Sequence, residues 1–359
     1  MVSPIKVLMV GPSREERGGI TAVVNGYYTG GLDNRCNLTY LASTGRGNRL
    51  RKAIIGVGAL AWLTQNVHKY DLVHVHLGGG NSFYREQYFI NIAAKAGIPT
   101  ILHVHDGLFK QNFEEKASPL LRRQIRRVFE RANCIVTLSN RDKEYILSKI
   151  AHGKNVVFIP NGIQLPKTVV LPKTPQTVLF LGHFDDNKNA DVLIKAMAIV
   201  AKSFPNSKCY LCADGDVSSF SALAESLNVK DVCVFLGWVD ADKKQELLDR
   251  CSIYCLPSKN EAMPMSLLEA MANGLVALVT PVGGMVDIVD DWKTGKFVPI
   301  GDVNNLANAI MMLFEDSDMA AKLAFSGKAA VEKNYSIDTS INRLLDLYAA
   351  VANSGKVVE

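Results

Sequence analysis

The sequence predicts an α/β fold of two doubly wound, Rossmann-like domains in series. Three observations carry that reading. Short runs rich in β-branched residues alternate with longer helical stretches. The alternation breaks at residues 164–176 and then restarts. The formal charge changes sign across the same break. At 359 residues the chain exceeds one comfortable core and suffices for two. Its 48% hydrophobic and 21% charged residues are those of a folded globular protein.

The first half opens on a strand at residues 5–10. Residues 72–76, 100–104 and 134–138 read as further strands, each nearly continuous in apolar residues, as a parallel sheet covered on both faces requires. Helical patterns, such as 88–96 and 119–131, lie between them. Residues 164–176 hold three prolines and little helical period, which marks a linker. Strands at 177–181, 208–212, 232–236, 253–256 and 276–280, with a helix at 190–201, then rebuild the pattern. Residues 337–351 are helical in pattern and fit a last helix returning to the first domain. The expected division is therefore 1–165, 166–336 and a C-terminal segment 337–359. Doubly wound sheets bind ligands at the carboxyl ends of their strands, so two such domains facing across a cleft place the site there.

Residues 1–165 hold 22 Lys and Arg against 11 Asp and Glu, a formal +11; the remainder holds 18 against 24, or −6. The basic half should prefer an anionic surface, and no nucleic-acid-binding motif accompanies it, so no nucleic-acid partner is expected. Arg122, Arg123, Arg126 and Arg127 are interleaved with Leu121, Ile125, Val128 and Phe129, and the basic residues 46–52 precede the apolar 53–63. Both patterns suit adsorption to an anionic membrane, and a solvated helix face over a core stripe explains them equally well. No apolar run is long enough to span a bilayer, and residues 1–10 are too short for a signal peptide. The expected location is the cytoplasm, including the inner face of the cytoplasmic membrane. The seven cysteines are an odd number that suits a reducing compartment. Cys209 and Cys212 sit three apart on a strand, which sends their sulfurs to opposite faces. Buried structural cysteine is expected there rather than a metal site.

The most informative stretch is 256–275. A strand ends near Leu256, a loop carries Glu261, and a helix begins near Met265 or Ser266, with Met263 and Pro264 leading in and Gly274 ending it. The first-turn amides of a helix form an anion site. The amides of Met265, Ser266 and Leu267 could hold a diphosphate, Glu261 could accept bonds from sugar hydroxyls, and Glu269 from a ribose. Spacing alone leaves a capped surface helix with two solvated carboxylates equally open.

Glu261 and Glu269 form E-x7-E, and with Pro257, Ser258, Pro264, residues 268–272 and Gly274 this resembles the signature of glycosyltransferase family 4. The likeness continues in Val282, Gly283, Gly284 and Gly295. The resemblance implies a retaining, metal-independent enzyme of the GT-B fold. It would move a sugar from a UDP- or GDP-linked donor to a saccharide or lipid-linked acceptor in cell-surface polysaccharide or lipopolysaccharide assembly. It assigns acceptor binding to the first domain and the nucleotide sugar to the second. Residues 234–239, with Trp238 and Val239, resemble the strand end that meets the base, and residues 159–163 the junction between domains. Gly18 and Gly19 resemble the loop beside the diphosphate. Lys188 keeps the place of a phosphate-binding lysine, while His183 stands where the family has an arginine; histidine cannot make the same bidentate contact. His105, followed by Asp106, resembles the histidine that touches the donor sugar. His74, His76, His103 and His105 form two i, i+2 pairs, an arrangement a metal could use, but the first three are expected to be structural. Asp214 and Asp216 spell D-x-D and read as a turn rather than a metal site; Asp240 and Asp242 read as an acidic helix start. Two other readings remain open. One is a sugar-nucleotide epimerase on the same scaffold. The other is a non-catalytic nucleotide-binding subunit, which the His183 departure favours.

Overall fold

The computed structural model describes residues 4–16 and 18–354. The outer ends of the expected first and last segments, 1–3 and 355–359, lie outside the described residues. The chain divides into two compact units, Met1–Gln164 with Ile337–Glu359, and Leu165–Ser336. Each is built on a six-stranded parallel sheet flanked by helices.

In the first unit the strands are β1 (Lys6–Pro12), β2 (Asn37–Thr44), β3 (Leu72–Leu77), β4 (Thr100–Val104), β5 (Cys134–Thr137) and β6 (Asn155–Phe158), ordered β2-β1-β3-β4-β5-β6. Every residue of β3, β4 and β5 is buried, which is why these strands read as continuous apolar runs. Strand β2 is mostly half-buried at the sheet edge, and its mixed Asn-Leu-Thr-Tyr composition gave no strand expectation; β6, at the other edge, is a four-residue Asn-Val-Val-Phe run too short to stand out. The core gathers Leu8, Val10, Val73, Val75, Leu102, Val104 and Ile135 from the strands with Leu63, Phe89, Phe129 and Ile146 from the helices.

The second unit holds β7 (Thr177–Phe184), β8 (Lys208–Gly215), β9 (Cys233–Phe235), β10 (Ile253–Leu256), β11 (Val276–Val279) and β12 (Lys296–Phe297), ordered β12-β11-β10-β7-β8-β9. Strands β7 and β8 run about three residues past their expected ends, which carries His183 and Asp214 onto paired strand tips. All seven cysteines are buried and reduced, Cys209 and Cys212 among them.

Both sheets change winding direction once. The first unit reverses between β1 and β3, the second between β7 and β10. At such a point the following loops diverge to opposite faces and leave a crevice at the carboxyl ends of the strands. Gly18 and Gly19 follow β1 in the first unit, and Lys188 and Glu261 follow β7 and β10 in the second, so these fall at the switch points, while His105 follows β4 and Trp238 and Val239 follow β9. No helix among the described residues is long and apolar enough to cross a membrane.

Candidate donor site

In the second unit, two loops leave the switch point side by side. After β7, Asp185 Oδ1 accepts the amides of Asn187 (3.0 Å) and Lys188 (2.9 Å), a side-chain turn that folds the chain back. Asn189 then takes a left-handed conformation and starts the helix Ala190–Ser203. The loop after β10 is stitched to this turn. Asn187 Nδ2 donates to the Asn260 carbonyl (3.0 Å), Asn189 Nδ2 to that of Pro257 (3.1 Å), and the Lys259 amide to that of Asn187 (2.7 Å).

These bonds bring together two residues 73 apart in sequence. Lys188 Nζ donates to Glu261 Oε1 at 2.5 Å, and Ser258 Oγ donates to the same oxygen at 2.7 Å. Both charged side chains are mostly buried, 22% and 10% exposed, so the pair is partly desolvated. From behind, the Gly284 amide donates to the Ala262 carbonyl, and Gly283 (φ +51°) lies so close that a Cβ there would sit 1.5 Å from the Glu261 carbonyl oxygen. Only glycine fits at 283.

The helix that follows is Met265–Ala272, with Pro264 at its cap and Gly274 in the left-handed conformation beyond its end. Its first-turn amides have no preceding turn to donate to. Leu267 is nonetheless already engaged, its amide donating to the Pro264 carbonyl at 3.2 Å, so of the three amides expected to meet an anion only those of Met265 and Ser266 have no such bond. The Ser266 hydroxyl bonds the buried Tyr254 hydroxyl (2.7 Å), and Met263, Pro264 and Leu267 have buried side chains.

Glu269 is held by a residue that the sequence reading missed. Lys244, on the helix Ala241–Arg250, donates to both carboxylate oxygens at 2.8 Å. Asp240 caps that helix by accepting the Lys243 amide. Just before it, Trp238 is 54% exposed and Val239 half-buried, after Gly237 at φ +65°. His183 sits on the tip of β7 with Nδ1 2.5 Å from Asp214 Oδ1, both side chains about half exposed. The D-x-D thus splits: Asp214 ends a strand and faces His183, and Asp216 caps the helix Val217–Ser226 through the Ser219 amide.

In the first unit, β3 and β4 pair with His76 opposite His103, which puts His74, His76, His103 and His105 on one face. Neighbouring rings stack at 4.2–5.3 Å between centroids. His76 Nδ1 lies 2.8 Å from His105 Nε2, His74 Nε2 3.1 Å from His103 Nδ1, and His74 Nδ1 2.7 Å from the Tyr348 hydroxyl. Burial pushes His74 and His105 down to about 3, and His76 and His103 well below the ordinary histidine range. His105, the half-buried member, therefore offers a neutral ring at pH 7 with Nε2 committed to His76. Gly18 caps the helix Gly19–Thr29 at φ +150°, and neither Gly18 nor Gly19 has any atom within 4 Å of where a Cβ would project. Backbone is open to close approach there, at the carboxyl end of β1.

A doubly wound unit with a cation, a carboxylate and a helix N-terminus at its switch point is a phosphate-ester-binding class of domain. The particular family follows from comparison. Residues 20–162 match the family model described as "Glycosyl transferase 4-like domain" and residues 164–330 the one described as "Glycosyl transferases group 1". Together they cover most of the chain, which belongs to this glycosyltransferase family. It is 29% identical over 217 residues to a phosphatidyl-myo-inositol mannosyltransferase of Mycobacterium leprae, covering 58% of this chain and 57% of the relative. The chain thus spans just under three fifths of the length of the first curated relatives it matches. It is 23% identical over 302 residues to the UDP-Gal:alpha-D-GlcNAc-diphosphoundecaprenol alpha-1,3-galactosyltransferase of Escherichia coli, covering 78% of this chain and 75% of that one. Among solved structures, Anabaena Alr3699/HepE in complex with UDP superposes with a TM-score of 0.78 at 18% identity, covering 96% of this chain and all of that one. That likeness is one of fold.

Proposed function

We propose that this chain transfers a sugar from a nucleoside-diphosphate donor, UDP- or GDP-linked, to a saccharide or lipid-linked acceptor in cell-surface glycan assembly, with the anomeric configuration retained. The Lys188–Glu261 pair at the switch point of the second unit carries the reading. A cation and a carboxylate held within bonding distance beside two helix amides match a diphosphate and a sugar hydroxyl placed next to each other. The donor displaces the internal pair: Lys188 turns to the phosphate oxygens, and Glu261 accepts from the sugar. Glu269 exchanges Lys244 for the ribose hydroxyls, and Trp238 and Val239 lie by the base.

In the transfer step the bond between the sugar C1 and the diphosphate oxygen breaks, and its electron pair leaves with the phosphate. The acceptor oxygen bonds to C1 from the same face, and its proton passes to the departing phosphate. Lys188 and the amides of Met265 and Ser266 meet the growing charge, which assigns that work to the protein rather than to a metal ion. His105, neutral, contributes a hydrogen bond to the donor sugar and no charge.

The named relatives that act on phosphatidyl-myo-inositol or on a diphosphoundecaprenol sugar support a lipid-linked acceptor. The central test is substitution. Glu261→Ala and Lys188→Ala should each lower transfer by at least about 10²-fold, the cost of losing one well-placed charge contact, with unchanged circular dichroism and melting. Near-normal turnover in both variants removes the basis of the site.

A further inference from the structure

His105 alone serves the transfer reading, which leaves three other imidazoles at the carboxyl edge of β3 and β4 unexplained. We propose that His74, His76 and His103 form a binding site for one divalent cation of the zinc class, distinct from the donor site. The inference rests on the first unit alone and stands or falls independently of the donor chemistry.

Three observations carry it. The three rings are fully buried, and one nitrogen from each lies within 4.8 Å of the others. In a tetrahedral site with 2.0–2.1 Å bonds, ligand nitrogens sit roughly 3.3 Å apart with their lone pairs converging, so the near-parallel rings turn about their side-chain bonds to close the set. Second, His76 Nε2 and His103 Nε2 are buried without a hydrogen-bond partner. Such atoms are rare in folded proteins and call for a specific occupant. The Tyr27 hydroxyl, on a ring 6.4 Å from His76, is a third buried atom of this kind in the same neighbourhood. Third, the remaining nitrogens of His74 and His76 are already held from outside. Protons assigned from the bonding pattern put Nδ1–H of His76 on His105 Nε2, and Nδ1–H of His74 on the Tyr348 hydroxyl. That is how metal-ligating imidazoles are oriented: one nitrogen donates outward and the other keeps its lone pair inward.

Loading breaks the His74–His103 hydrogen bond, which frees the His74 Nε2 lone pair for the cation. An all-imidazole set selects zinc, copper, nickel or iron(II) over magnesium and calcium, which require oxygen ligands. Three protein ligands leave a fourth position for water or an anion. The cation would tie β3 to β4 and, through Tyr348, to the last helix of the chain.

The test uses the full chain carrying no added histidine tag, stripped with a chelator and dialysed against zinc or cobalt(II). The expected results are about one equivalent of bound metal, an imidazole-type visible spectrum with cobalt, and a raised melting temperature. His76→Gln and His103→Gln should each weaken binding by about tenfold or more. A triple variant of the other histidines, His68→Gln, His152→Gln and His183→Gln, should keep the full equivalent. Wild-type protein retaining no stoichiometric metal at micromolar zinc overturns the proposal, and so does loss of binding in the triple variant. Both are read without relying on the folding of the cluster variants, and neither bears on the transferase reading.

Discussion

The residue that most sets this donor site apart is His183. Its ring lies against Asp214, so whatever positive charge it gains is answered by a carboxylate before a phosphate arrives. An arginine at this strand tip reaches further and stays charged. His183→Arg should therefore tighten UDP- or GDP-sugar binding by about tenfold, the worth of one charge-assisted bond, measurable by calorimetry. Unchanged affinity would place His183 outside the phosphate contact. A second prediction concerns Glu86, which is fully buried on the helix Asn81–Lys95. Its Oε1 accepts from Ser43 (2.7 Å) and Arg85, while Oε2 has no partner. Burial raises its pKa above the usual carboxylate range despite Arg85. A carboxylate with a raised folded pKa contributes fully below its unfolded value, about 4.3, and loses that contribution as pH rises through the folded one. Glu86→Gln keeps the acceptor without the charge. It should melt higher than wild type by on the order of 2–4 °C at about pH 8, and this advantage should vanish at about pH 4. A pH-independent difference would mean that charge burial is not its cause. Glu261 and Lys188 could be picked from the sequence because each sits in a local motif. Lys244, Asp214 and Tyr348 could not, because their roles come from partners 25 to 274 residues away, set only by the packing of helices and strand tips.

At the scale of elements, the two basic stretches part company. On the helix Pro119–Arg131, Ile125, Val128 and Phe129 are buried, Arg123 and Arg127 are exposed, and the other three arginines bond within the unit. Arg122 donates to the Ala117 and Glu114 carbonyls, Arg126 to that of Lys149, and Arg131 to Asn91. The helix Arg49–Asn66 is different. It buries only Gly56, Ala59 and Leu63, while Leu50, Ile54 and Val57 are 63–69% exposed and Trp62 38%, with Arg49, Arg51 and Lys52 in its first turn. An apolar stripe next to basic residues is the pattern of a helix that lies in a membrane interface. The expectation is binding to anionic vesicles at low salt, weak binding to zwitterionic ones, and about a tenfold loss on Ile54→Glu, since one apolar side chain contributes about 1.5–3 kcal/mol. Equal partition of the variant and the parent in a flotation assay would show that the stripe faces something else. That residues 53–63 are apolar was visible in the sequence. Which side the sheet would cover was not, because small Gly56 and Ala59 face inward with Leu63 while Ile54 and Val57 face outward.

At the scale of the whole chain, the first unit is completed by its last helix. Ile337–Ser354 buries Ile341, Leu344 and Tyr348 against the first unit, and Ser340 Oγ donates to the Pro160 carbonyl. The approach is close: a Cβ on Gly30 would fall 2.6 Å from Ile341 and 2.7 Å from Ile337. The helix also supplies the Tyr348 hydroxyl that holds His74. The helical period at 337–351 was readable and a return to the first domain was expected of it, but which side chains it would cover was not, since no local pattern names the surface a helix meets. Removing it deletes several buried apolar side chains at about 1.5–3 kcal/mol each, in a domain whose net stability is only about 5–15 kcal/mol. It also leaves His74 Nδ1 without a partner. A chain ending at Ser336 should therefore lose slow amide exchange throughout β1 to β6 while keeping it in β7 to β11, because the second unit is continuous in sequence and owes none of its sheet to the deleted segment. Tyr348→Ala in the full chain should weaken protection of β3 and β4 first, at the His74 contact. Uniform loss of protection in both units on truncation would show instead that the two fold as one cooperative block.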